Sequence, residues 1–171
     1  GVFSGLQWAR PRSVDRPVQR LEMNLPPGVE LYAGSTHAIA ISQDGSKVAF
    51  VGVLGGVRQL YVRQLDRGEA TLLRGTANSN GSFFSPDGSS LGVLTAAGGL
   101  MKVSLADGLV VPLAADADFF AGGTWGPDDQ ITFGRKGALW RIPSAGGSAT
   151  QITQLDGQAS GLSHLWPTIV D

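Results

Sequence analysis

Phe84-Ser85-Pro86-Asp87-Gly88-Ser89-Ser90-Leu91-Gly92-Val93-Leu94 joins a tight-turn signal to an apolar run, and the phrase returns in altered form on either side. Ser42-Gln43-Asp44-Gly45-Ser46-Lys47-Val48-Ala49-Phe50-Val51 precedes it, and Gly126-Pro127-Asp128-Asp129-Gln130-Ile131-Thr132-Phe133 follows it. Ser42, Ser85 and Gly126 therefore begin copies that lie 43 and 41 residues apart. Proline presets the first turn position, aspartate closes an Asx-type turn, and glycine supplies a positive φ. A period of about 40 residues with a turn between two apolar runs is the sign of a four-stranded propeller blade. Asp44, Gly45, Pro86, Asp87, Gly88, Pro127 and Asp128 are accordingly read as the structural turn residues of the repeat.

A second phrase keeps the same step. Leu60-Tyr61-Val62-Arg63-Gln64-Leu65-Asp66-Arg67-Gly68, Leu100-Met101-Lys102-Val103-Ser104-Leu105-Ala106-Asp107-Gly108 and Leu139-Trp140-Arg141-Ile142-Pro143-Ser144-Ala145-Gly146-Gly147 align without gaps. Each is followed by a short run near 70–73, 109–113 or 149–153. In the middle copy the reading is an inner strand over 81–85, a second over 91–95, a third over 100–105 and an outer one over 109–113. The second strands are apolar almost throughout, as expected where blades cover both faces. Three consecutive blades are predicted, about 30–74, 77–114 and 119–155, with almost no helix.

The ends divide the chain further. Residues 1–17 carry Arg10, Pro11, Arg12, Arg16 and Pro17 and read as a linker; residues 18–29 read as an N-terminal strand that alternates over 18–25 before Pro26-Pro27-Gly28 stops it. Residues 30–171 read as a partial propeller, in which Trp166-Pro167-Thr168-Ile169-Val170-Asp171 looks like the inner strand of a fourth blade. Rings usually hold 4 to 8 blades. The expectation is therefore an all-β propeller fragment whose first and last blades each leave an apolar face uncovered.

Composition narrows the classes of function. The 171 residues suit one ordinary domain, and 42% hydrophobic against 16% charged residues is globular. A net charge of −1 offers no basic excess for a phosphate backbone, so no nucleic-acid partner is expected. With no cysteine there is neither a disulfide nor a thiolate metal site. No run approaches the roughly 18 apolar residues of a membrane span, so a membrane link would need a segment upstream.

Candidate chemistry is sparse. Gly88-Ser89-Ser90-Leu91-Gly92 matches the pattern of a serine nucleophile, but that motif needs a helix after the serine, and here a strand is expected. His37 and His164 are the only histidines, and each lies shortly before an inner strand. They are read as structural, with contact to a ligand at the channel mouth as the lesser alternative. Asp44, Asp87 and Asp128 repeat with the turn and are read as Asx caps, not as a cation ring. Asp116-Ala117-Asp118 lacks the other ligands of a calcium loop. Asn80-Gly81-Ser82 fits the glycosylation pattern, which means little without a secretory context. Trp125, Trp140 and Trp166 are expected to be buried between blades. No catalytic residue, cofactor or metal ligand is assigned.

Ser-Pro-Asp-Gly with its apolar strand, followed by Leu60-Tyr61-Val62-Arg63, resembles the WD40-like repeat of the TolB family. The junction Arg16-Pro17-Val18-Gln19-Arg20-Leu21-Glu22-Met23-Asn24-Leu25-Pro26-Pro27-Gly28 is similar to that of the C-terminal propeller of bacterial transmembrane serine/threonine kinases. So are Leu139-Trp140-Arg141-Ile142-Pro143 and His164-Leu165-Trp166-Pro167. The sequence departs from the repeat at Gln43, in place of proline, and at Asp129, in place of glycine. The resemblance covers about residues 16–171 and includes no kinase motif. It implies a non-catalytic binding or sensing propeller in an extracytoplasmic, periplasmic setting, meeting a protein, a peptide or a small ligand at a ring face. Two alternatives stay open, a propeller gating a prolyl-oligopeptidase-type serine hydrolase and a periplasmic TolB-like component of a complex.

Overall fold

Each copy of the repeated phrase becomes one antiparallel sheet. The structure is a computed structural model that describes residues 22–35, 37–154 and 163–169, and over them it is all β with no helix. The middle blade holds β6 (Ser79–Phe84), β7 (Ser90–Thr95), β8 (Leu100–Ser104) and β9 (Val110–Ala114), hydrogen-bonded in that order. The third blade repeats this as β10 (Gly123–Trp125), β11 (Gln130–Arg135), β12 (Ala138–Pro143) and β13 (Thr150–Gln151).

The first blade differs. Its inner edge is split into β1 (Glu30–Leu31) and β2 (Ile39–Ile41), which pair with opposite halves of β3 (Lys47–Leu54). β4 (Val57–Gln64) and β5 (Ala70–Leu72) complete it. Between β1 and β2 the chain leaves the ladder and is held by Tyr32. Its N–H donates to the Val51 carbonyl at 2.9 Å, and the Arg58 guanidinium lies 4.9 Å above its ring and donates to its hydroxyl at 3.1 Å. A cation over an aromatic face is attracted by the ring quadrupole, which fixes this excursion in place.

The blades stack face to face. Ala49, Val51, Leu60 and Val62 of the first meet Phe84, Leu91, Val93 and Val103 of the second. Leu94 and Leu100 of the second meet Trp125, Ile131, Phe133 and Ile142 of the third. All of β7 is buried, which explains why its sequence does not alternate. Each large side chain so buried contributes about 1.5–3 kcal/mol.

The N-terminal region departs from the expected strand. Residues 18–21 lie outside the described residues, and 22–25 join no ladder. Pro26 and Pro27 have no N–H to give, and Val29 donates to the Pro26 carbonyl at 3.0 Å to form a turn. Met23, Leu25 and Val29 instead pack on Phe50 and Tyr61, whose rings stack 5.4 Å apart. The outer face of the first blade is thus partly covered by the chain's own residues.

Residues 163–169 run beside β10 without forming a strand. Trp166 N–H donates to the Ala121 carbonyl at 2.7 Å. Ser82 N–H makes the same kind of link to the His37 carbonyl, at 3.3 Å, between the first and second blades. Residues 163–169 therefore occupy the place where the sequence suggested a fourth inner strand, held by side chains and single hydrogen bonds.

Candidate functional site

The first turns of blades one and two share one hydrogen-bond set. Ser42 Oγ donates to Asp44 Oδ1 at 2.6 Å, and Ser46 donates through N–H to Oδ1 at 3.0 Å and through Oγ to Oδ2 at 2.6 Å. Ser85, Asp87 and Ser89 repeat it at 2.6, 3.0 and 2.8 Å. The serine that opens each turn also accepts the N–H that begins the next strand, from Lys47 and from Ser90, both at 2.9 Å. These donors favour the ionised carboxylate. They hold Asp87 down to about 2 and lower Asp44 as well, with the serine hydroxyl the largest cause in each. Gly45 and Gly88 follow at φ +70° and +65°. Pro86 and Pro127 stand at the turn positions before Asp87 and Asp128.

The third turn is built differently. Asp129 takes the glycine position at φ +60°. Its Oδ1 accepts from Ser144 Oγ at 2.6 Å and from Trp125 Nε1 at 3.1 Å. Those hydrogen bonds, Ser144 first, lower the Asp129 carboxyl below its ordinary value. Lys102 of the second blade reaches over, its Nζ 5.5 Å from the Trp125 ring centre and 3.4 Å from the Ser144 carbonyl. Asp128 accepts from Gln130 N–H at 3.3 Å and lies 3.6 Å from the Arg141 guanidinium. A cavity of about 350 Å³ opens between the second and third turns, lined by Asp87, Lys102, Asp129 and Ser144.

The inner strands and residues 163–169 enclose a larger central cavity of about 630 Å³. Ile39, Ile41, Phe83, Trp125 and Ile169 supply apolar wall, and Gln43, Ser82, Thr124 and Thr168 supply neutral polar groups. His37 lines the same space, and burial pushes its imidazole below the ordinary value, toward the neutral form. It reaches there because its neighbours have no side chain. A Cβ on Gly81 would come within 2.7 Å of His37 Cβ, and one on Gly122 within 2.6 Å of its Nε2. Ala38, Gly81 and Gly122 hold corresponding places in the three copies, and this run of small residues was the available sequence signal for a side chain crossing between blades.

His164 lies elsewhere. Its N–H donates to the Gly137 carbonyl at 2.9 Å and its Nδ1 is 2.7 Å from Thr153 Oγ1, so it fastens residues 163–169 to the third blade. Trp125 is buried and Trp140 is partly buried with Arg135 over its ring, but Trp166 is 54% exposed. The expectation that all three would be buried therefore fails at Trp166. It has φ +53°, and its ring Nε1 donates to the Phe120 carbonyl at 3.1 Å. Ser90 starts β7 directly and no helix follows it, so it lacks the setting of a serine nucleophile. Among the described residues no group of three or more His, Cys, Asp or Glu side chains could hold a metal ion.

Stacked four-stranded sheets with their inner strands around one cavity define a β-propeller. Comparison with solved structures gives the same class. TolB from Acinetobacter baumannii superposes with a TM-score of 0.57 at 19% identity, covering 71% of this chain and 33% of its own. The putative TolB from Agrobacterium tumefaciens gives 0.57 at 23% identity, covering 69% and 46%. An oligogalacturonate lyase from Vibrio parahaemolyticus gives 0.56 at 19% identity, covering 82% and 43%. This chain thus spans a third to just under half of the length of these neighbours. At these identities the likeness is one of fold, that of a β-propeller. No protein-family profile matches the chain, and no curated protein matches it.

Proposed function

We propose that this chain is a non-catalytic binding or sensing propeller, the extracytoplasmic C-terminal region of a bacterial membrane-bound serine/threonine kinase. The observation that carries the binding role is the lining of the central cavity. Apolar wall, neutral hydroxyl and amide groups and the His37 imidazole share it, and among the described residues no carboxylate or ammonium lines it. Such a lining suits recognition of a ligand, and His37 is its one titratable side chain among the described residues. The kinase context is supported by the resemblance of 16–28, 139–143 and 164–167 to that group of propellers. The extracytoplasmic setting follows from the same resemblance.

The test is the gene. A kinase domain and then a membrane helix encoded upstream, with a reporter fused after residue 171 active only outside the cytoplasm, is the expected result. A hydrolase domain with a strand–serine–helix motif encoded downstream would overturn it in favour of the second reading, in which the open cavity acts as a gate to a peptidase site.

A further inference from the structure

We propose that the central cavity takes an extended, uncharged peptide segment, read partly through its backbone along β2. The inference rests on the binding role above and names the ligand class. Its first ground is the register of the first blade. Ala38 and Ser42 bond to β3, through Val51 N–H at 2.8 Å and the Lys47 carbonyl at 3.0 Å. Ile39 lies opposite Phe50 and Ile41 opposite Val48. Alternate residues of an antiparallel strand aim their peptide groups away from the partner, so the N–H and C=O groups of Ile39 and Ile41 face the cavity. Among the described residues β2 has β3 as its one ladder partner, which leaves this edge to an incoming strand.

The second ground is the wall. Among the described residues Phe83 and Ile169 offer apolar surface without a charged neighbour in the lining, which suits small apolar side chains and disfavours ionised ones. The volume of about 630 Å³ falls within the usual size of a ligand site.

Calorimetric titration with a capped hexapeptide alternating valine and threonine tests the inference on the 171-residue chain. Saturable binding is expected. It should fall by about tenfold when the alternate amides are N-methylated, because one lost backbone hydrogen bond is worth roughly that factor. Replacing the valines by aspartate should abolish it. Ile41→Lys should weaken binding similarly without touching the core, since Ile41 is 64% exposed. The melting curve checks that the variant chain remains folded. Equal affinity for the N-methylated peptide, binding unchanged in Ile41→Lys, or no binding at millimolar peptide would each overturn the proposal. All these outcomes are independent of which domains the gene encodes.

Discussion

The turn that opens the second blade and the turn that opens the third solve one problem by different means. Both must carry the chain through a positive φ after an aspartate. At Gly88 no side chain resists that conformation, and Ser85 and Ser89 spend their hydrogen bonds inside the turn on Asp87. At Asp129 a side chain is present, and it is tied outward to Ser144 and Trp125. The third blade also has Gly126 where the others have Ser42 and Ser85. A Cβ there would collide with the Asp128 carboxylate and come within 3.0 Å of Ile169. The first pattern is local and can be copied from blade to blade. The second depends on partners 4 and 15 residues away, and so joins the turn to the body of its blade.

The contrast can be broken at several points. Gly88→Val should have the largest effect, a loss of about 2 kcal/mol or more from backbone strain, because β-branched residues resist the left-handed region. The space itself is adequate, with Lys47 Nζ at 3.5 Å and Ser42 Cβ at 3.6 Å from a built Cβ. Gly45→Val, with nothing within 4 Å, should therefore cost a similar amount in denaturant unfolding. A much smaller loss for Gly45→Val would mean that crowding, not φ, sets the cost at Gly88.

Ser85→Ala comes next. It strands the buried N–H of Ser90 and removes a donor from Asp87, so about 1–2 kcal/mol should be lost by the same measurement. A neutral result would show that the turn does not depend on its opening serine.

Asp129→Gly sets two terms against each other. Relief of the strained φ returns about 1 kcal/mol. Loss of the carboxylate leaves the hydrogen-bonding groups of buried Trp125 and Ser144 without their acceptor, at about 1.5–3 kcal/mol, discounted because Asp129 itself is exposed. A net destabilisation of about 1 kcal/mol is expected, with Asp129→Asn in between. A more stable Asp129→Gly chain would show that the outward tie is weaker than the strain.

The smallest effect concerns acid. The Asp87 carboxyl is depressed to about 2 in the folded chain, below the roughly 3.9 of an unfolded one. Its contribution is thus fully present above about pH 4 and is lost as the pH falls toward 2. Asp44 is displaced in the same direction. Asp87→Asn should make the acid limb of the stability curve shallower below pH 4 and leave its shape above pH 5 unchanged. An unaltered acid limb would show that the turn hydrogen bonds do not favour the ionised form.

Much of this architecture is legible in the residues. The regular return of the turn phrase and the gapless third-strand alignment both report local conformation, which short sequence encodes directly. The almost wholly apolar run over Leu91–Thr95 told of burial on both faces, and β7 is buried from end to end. The site was far less legible. His37 reaches Gly122 and comes within 6.5 Å of the Trp166 ring, across 85 and 129 residues of chain, and the small residues Ala38, Gly81 and Gly122 are the only hint of it in the sequence. The unpaired Ser82 hydroxyl lies within what reads as a glycosylation triplet.

By itself the sequence determined the class of fold, the number of repeated sheets among residues 30–151 and the positions of their turns, because propensity, glycine φ and Asx closure act over a few residues. Tertiary structure alone decided the rest. It split the first inner strand around Tyr32, laid Met23 and Leu25 on Phe50 and Tyr61 in place of a strand, left Trp166 exposed, and tied Asp129 to Ser144. Each of these depends on which distant face lies opposite, and that is fixed only when the blades stack and exclude water from the surface between them.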